Sequence, residues 1–125
     1  MQEHELWLNY AENDLRVAKI SMKEDAVISS AFFLTQQCAE KALKAFLIFH
    51  KQPFHKTHDL VELLKCCIKI NSLFESIKKE AIGLNPFVVT YRYPDLALPF
   101  PDKTTLGVCI IEASTVLEFV KQQIS

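Results

Sequence analysis

Residues 25–51 read DAVISSAFFLTQQCAEKALKAFLIFHK, and apolar side chains recur along them at three- and four-residue steps. Val27, Ala31, Leu34, Cys38, Ala42, Ala45 and Phe49 form one stripe at the helical period. Ile28, Phe32, Ala39, Leu43 and Phe46 form a second stripe beside it. Together they cover about half the circumference, wider than the roughly 100° face of a helix with a single neighbour. The segment is therefore either the central helix of a bundle or a helix that also meets a second copy. Its remaining arc holds Gln36, Gln37, Glu40, Lys41 and Lys44. Such an arc is ordinarily a solvated face, but Gln37, Lys41 and Lys44 stack on adjacent turns and also suit the lining of a cleft.

Upstream, the pattern predicts a helix over Glu3 to Lys23, with Trp7, Tyr10, Ala11, Leu15, Ala18 and Met22 on one side. Asp14 falls inside that stripe. A carboxylate there needs a partner, because an unpaired buried charge is costly. It is either salt-bridged to a neighbouring helix or a functional acid facing a cleft. Downstream, Gln52-Pro53-Phe54-His55-Lys56-Thr57-His58 breaks the long helix. Asp59, with Glu62 three residues on, reads as a capping box opening a helix that carries Leu60, Leu63, Leu64 and Cys67. A break comes near Asn71-Ser72, where Ser72 and Glu75 repeat the capping signature. The next helix carries Leu73, Ile77 and Ala81 and ends near Gly83.

Residues 86–101 contain four of the five prolines and no helical period. With Phe87, Val88, Val89, Tyr91, Tyr93 and Phe100, this loop is too apolar for a linker and is expected to pack on the bundle. A last helix begins near Asp102 or Thr104, with Leu106, Ile110, Ala113, Leu117, Val120 and Ile124 as its core stripe. The expectation is one all-α domain over 1–125, an antiparallel up-and-down four-helix bundle with a fifth short helix.

Composition narrows the function classes. The chain is 50% hydrophobic and 23% charged, with only two glycines, which suits long helices over a turn-rich β protein. A net charge of −1 argues against gripping nucleic acid chiefly through phosphates. No apolar run reaches the roughly 18 residues of a membrane span, and MQEHELW lacks the basic-then-apolar pattern of a secretory signal. The four cysteines, Cys38, Cys66, Cys67 and Cys109, include no CxxC pair and are expected to be reduced thiols of a cytoplasmic protein. His55, His58, Cys66 and Cys67 match no zinc spacing, so no metal site is expected.

Two residues stand out for chemistry. Arg92 lies in Thr90-Tyr91-Arg92-Tyr93-Pro94-Asp95. A guanidinium fork suits a phosphate and flanking rings suit a base, so nucleotide or RNA contact fits. Pairing with Asp14 or Glu40 to tether the loop fits equally well. His58 sits just before a helix cap, where an imidazole can act as acid or base and open backbone N–H groups attract anions. It is otherwise a structural residue. There is no phosphate-binding glycine loop, HExxH or nucleophile elbow.

Trp7…Ala11…Asp14-Leu15, then Ala31-Phe32-Phe33-Leu34-Thr35-Gln36-Gln37-Cys38-Ala39-Glu40-Lys41-Ala42-Leu43-Lys44-Ala45, then Lys56-Thr57-His58-Asp59-Leu60, then Arg92-Tyr93-Pro94, resemble in order and spacing a HEPN (higher eukaryotes and prokaryotes nucleotide-binding) domain. The resemblance implies a five-helix fold with a four-helix core, often dimeric. It further implies a nucleotide-binding accessory subunit of a minimal nucleotidyltransferase partner, sometimes within a toxin–antitoxin pair. A metal-independent ribonuclease toxin and a purely structural dimerisation module are the alternatives. No resident cofactor is implied; nucleotide enters as ligand. By position, the residues implied for the nucleotide site are Asp14, Gln37, Lys41, His58, Asp59, Arg92 and Tyr93, with His58 and Arg92 as the candidates for catalysis. The ribonuclease branch separates its arginine and histidine by four to six residues. Here Arg92 is followed at that distance by Ala97, Leu98 and Pro99, and Arg16 by Ser21, Met22 and Lys23.

Overall fold

The structure, a computed structural model, describes residues 1–24, 28–54 and 56–124. Five α-helices succeed one another: α1 (Glu3–Lys23), α2 (Ile28–Phe49), α3 (Leu60–Ile70), α4 (Lys78–Leu84) and α5 (Lys103–Ile124). Two 3₁₀ segments, Ser72–Ile77 and Asn85–Val88, flank α4. No strand occurs among the described residues, so the chain is all-α. Val27, at the head of the predicted central stripe, and His55 lie outside the described residues.

The wide apolar arc of α2 is explained by its neighbours. It packs against α1, α5, α3 and α4 at once and is the central helix of the bundle. Ala31, Phe32, Cys38, Ala39, Ala42, Leu43, Ala45, Phe46 and Leu47 are all buried. Each fully buried large apolar side chain contributes about 1.5–3 kcal/mol, and the alanines let neighbouring helices approach closely. Leu106, Ala113, Leu117 and Val120 of α5 complete the core as the periodicity predicted. Helix α1 runs over the predicted residues, Glu3 to Lys23.

Helix α2 ends at Phe49 rather than Lys51. Lys51 adopts a left-handed backbone (φ 55°), while Gln52 N donates to Leu47 O and Lys51 N donates to Ile48 O. This pair of bonds is a Schellman closure, made here with lysine where glycine is usual.

The segment after α3 departs from expectation. Asn71, not Ser72, caps it, its side chain accepting from Leu73 N and donating to Gln123 Oε1 on α5. The chain then forms a 3₁₀ segment that leads into a seven-residue α4. Leu73, read as a core position, is exposed.

The proline-bracketed loop divides in two. Phe87 and Tyr91 pack on Phe32 with ring centroids 5.0 and 4.9 Å away. Beyond Arg92 the chain leaves the bundle: Leu96 is 107% and Phe100 95% exposed. The expectation that the whole loop packs down is thus met only over its first half, where aromatic rings reach the core.

Candidate functional site

The arc of α2 expected to face solvent is instead a covered polar network. Gln36, Glu40 and Lys44 are buried, although each has a polar end. All three project from one side of α2, because steps of four residues return to nearly the same face. Burying such groups is tolerable only when each has a partner, and each has. Glu40 Oε2 accepts from Lys44 Nζ at 3.0 Å. Glu40 Oε1 lies 3.0 Å from His58 Nδ1 and accepts from Gln37 Nε2 at 3.2 Å. Gln36 Nε2 donates to His58 O at 2.9 Å, fixing the backbone that carries the imidazole. The Lys44 ammonium lies over the rings of Trp7 and Phe54, 5.9 and 5.8 Å from their centroids.

Glu40 is the hub of this network, whereas the sequence offers it as one of five polar residues on an arc and as a possible partner of Arg92. The usable signal was its i,i+4 spacing to Lys44 between apolar neighbours. His58 is held by Nδ1 while its side chain stays 68% exposed, leaving the rest of the ring toward solvent.

Asp14 has the inter-helix partner its position demanded. Its Oδ2 accepts from Lys41 Nζ at 2.5 Å, and the same ammonium lies 5.8 Å from the Tyr10 ring centroid. Asp59 caps α3, its Oδ1 accepting from Val61 N and Glu62 N, and Asn85 Nδ2 donates to the same oxygen. The glutamate arm of the predicted capping box goes elsewhere: Glu62 Oε2 accepts from Thr57 Oγ1. Leu60 N donates to Asn85 Oδ1 and Leu63 N to Asp59 O. The first four N–H groups of α3 are therefore occupied, and the open anion site expected beside His58 is absent.

Arg92 does not join Glu40 or Asp14. Its Cζ lies 4.4 Å from the centroid of the Phe33 ring, and Nη1 donates to Val88 O at 3.1 Å. Phe33 occupies the same side of α2 as Glu40, two turns or ~10 Å nearer the N-terminus. Arg92 and Tyr93 thus sit at one end of this side, and His58 and Asp59 near its middle. Tyr91, just before Arg92, has a left-handed backbone (φ 69°), uncommon for a bulky residue. Strain of this kind gathers at ligand-binding and switch positions. Two cavities adjoin the guanidinium. One of about 260 Å³ is lined by Ser29, Ser30, Phe33, Leu34, Tyr91 and Arg92. The other, of about 400 Å³, opens toward Tyr93 and Phe100 and shares Ser29, Tyr91 and Arg92. Among the described residues no group of three or more metal-ligating side chains converges.

Burial pushes the Cys38 and Cys109 thiols up to about 12, and the Cys67 thiol upward for the same reason. All four cysteines are free thiols. No helix among the described residues is long and apolar enough to cross a membrane.

Comparison with known proteins gives the same assignment by sequence and by shape. The chain is 31% identical to a Methanocaldococcus jannaschii protein named as a candidate toxin, over 93% of this chain and 84% of that one. It superposes on the crystal structure of an archaeal HEPN homologue with a TM-score of 0.80 at 30% identity, each chain covered fully. The crystal structure of a Thermus thermophilus protein gives a TM-score of 0.85 at 26% identity, with 98% of each chain covered. The family model for the HEPN domain matches residues 4–123, and the chain belongs to the HEPN domain family.

Proposed function

We propose that the chain is a HEPN accessory subunit that binds a nucleotide beside Arg92 and acts, as a homodimer in the cytoplasm, with a minimal nucleotidyltransferase. The observation that carries this reading is the exposed Arg92 guanidinium resting on the Phe33 ring between two adjoining cavities. A guanidinium so placed keeps its outer donors for a phosphate. Tyr91 and Tyr93 offer faces for a base, and the Ser29 and Ser30 hydroxyls offer donors to a ribose or phosphate. Of the residues implied by the family resemblance, Arg92 and Tyr93 then contact the ligand. Asp14, Gln37, Lys41 and Asp59 hold the framework, each bonded within the protein. Titration calorimetry with ATP and GTP tests the reading. Binding by the unsubstituted chain and its loss in Arg92→Ala, at unchanged melting temperature, is the expected result. No heat with either nucleotide overturns it. Co-purification with the product of the neighbouring gene tests the nucleotidyltransferase partner.

A second reading, cleavage of RNA without metal, draws on the toxin name of the archaeal relative and on the His58–Glu40 contact. A buried carboxylate on Nδ1 holds the ring so that Nε2 faces outward. His58 would take the proton of a 2′-OH as that oxygen bonds to the adjacent phosphorus. The bond to the 5′-oxygen breaks, and that oxygen leaves with a proton, giving a 2′,3′-cyclic phosphate. Arg92 stands some two helical turns from His58, so the two would serve neighbouring parts of a strand rather than one phosphate. Cleavage of single-stranded RNA that continues undiminished in His58→Ala would eliminate this mechanism.

A further inference from the structure

The two cavities beside Arg92 differ in chemistry, and the difference bears on which nucleotide they hold. The smaller, about 260 Å³, sets the guanidinium beside Ser29 and Ser30, with Phe33 and Leu34 as its apolar wall. The larger, about 400 Å³, is walled chiefly by rings, prolines and leucines of the loop after Arg92, and Asp95 is its one carboxylate. A phosphate fits the first, and a flat base fits the second. Ser29, Tyr91 and Arg92 line both, so a ribose joining phosphate to base has a place at the junction.

These walls carry little charge. Among the described residues lining the two cavities, Arg92 is the one cation and Asp95 the one anion, so their formal charges cancel. The lysines of α2 are committed elsewhere, Lys41 to Asp14 and Lys44 to Glu40. The guanidinium itself is partly engaged. Phe33 covers it at 4.4 Å and the Tyr93 ring centroid lies 5.8 Å away, so a ligand meets its edge rather than its face. Nη1 also donates to Val88 O. One planar fork of this kind holds one phosphate. A second or third phosphate would lie against Phe33 and Leu34, where a charge loses water without gaining a partner. Its other course is toward Asp95, where like charges repel.

Resting on the nucleotide reading above, we infer that the site is built for a nucleoside monophosphate, and that Asp95 selects against di- and triphosphates. The single phosphate lies on the Arg92 edge and the two serine hydroxyls, and the base lies among the loop rings. A triphosphate still binds, through the phosphate next to its ribose, but more weakly. Selection of this kind needs a repulsive group as much as an attractive one. Asp95 can fill that role without burdening the fold. It is exposed, and its Oδ1 accepts from Ala97 N at 2.9 Å, closing a turn within the loop. An asparagine there keeps the same acceptor and loses only the charge.

Titration calorimetry on the full chain with AMP, ADP and ATP, in a buffer free of divalent cations, tests the inference. AMP is expected to bind tightest and ADP less well, with ATP about threefold or more below AMP. Asp95→Asn is expected to strengthen ATP by a larger factor than AMP, narrowing the gap at an unchanged melting temperature. ATP bound as tightly as AMP, or more tightly, overturns the inference while leaving the nucleotide reading standing. A gap that Asp95→Asn fails to narrow overturns it as well. Heat from none of the three defeats the nucleotide reading itself, and the inference falls with it.

Discussion

The Glu40 carboxylate, 5% exposed, holds His58 Nδ1 at 3.0 Å across eighteen residues of sequence. The same carboxylate neutralises Lys44, whose side chain is 8% exposed. A single buried acid thus serves one structural cation and one solvent-facing imidazole. Removing one member of a buried pair strands the other charge and costs about 3–5 kcal/mol. Glu40→Ala is expected to lose that much in urea unfolding at neutral pH. Replacing both partners, Glu40→Leu with Lys44→Met, removes the stranded charge and recovers most of the loss. A single substitution as stable as the parent would show that the Lys44 ammonium finds water without difficulty.

Phe32 anchors the loop that presents Arg92, through Phe87 and Tyr91. It is wholly buried. Phe32→Ala is expected to cost about 3–5 kcal/mol and to release residues 85–92 from the bundle. Limited proteolysis should then cut near Arg92 much faster than in the parent. Global destabilisation with no new cleavage site would mean that the loop is held by other contacts.

Glu112 and Glu80 face each other where α5 meets α4. Burial, and then the Glu80 charge, raise the Glu112 carboxyl above its ordinary value. Among the described residues, Glu80 Oε1 is buried without a hydrogen-bond partner. A Cβ at Gly83 would run into the Glu112 carboxylate, so the absent side chain leaves room for that group. The folded state therefore binds this proton more tightly than the unfolded chain, whose glutamate titrates near ~4.3. The stability it contributes is complete below that pH and is lost as pH rises through the higher folded value. Glu112→Gln should remove this part of the pH dependence and raise stability at neutral pH. Thermal melts from mildly acidic to neutral pH, identical in slope for parent and variant, would contradict it.

The cysteines should differ sharply in reactivity. Cys38 and Cys109 are buried and pushed up to about 12, Cys67 is raised by burial as well, and Cys66 is only half-buried. The thiolate is the reactive form. Titration of the native chain with a thiol reagent at neutral pH should label Cys66 first, with the other three reacting only after denaturation. Rapid labelling of all four in the native state would indicate that the core opens readily.

The sequence determined the helices because their signals are local. Repeats of three and four residues fixed α1 over Glu3 to Lys23, the apolar stripes of α2 and the core side of α5. Asp59 announced the start of α3 by its own capping chemistry. Only the tertiary structure decided what the polar groups meet. Glu40 finds His58, Asp14 finds Lys41 twenty-seven residues on, and Asn85 caps α3 from twenty-five residues downstream. Arg92 rests on Phe33 although Asp14 and Glu40 were equally good partners by charge. Periodicity reports which side of a helix is apolar. It carries no information on which distant element covers the other side, and the strength of a charge pair is set by distance and burial that exist only once the helices have packed.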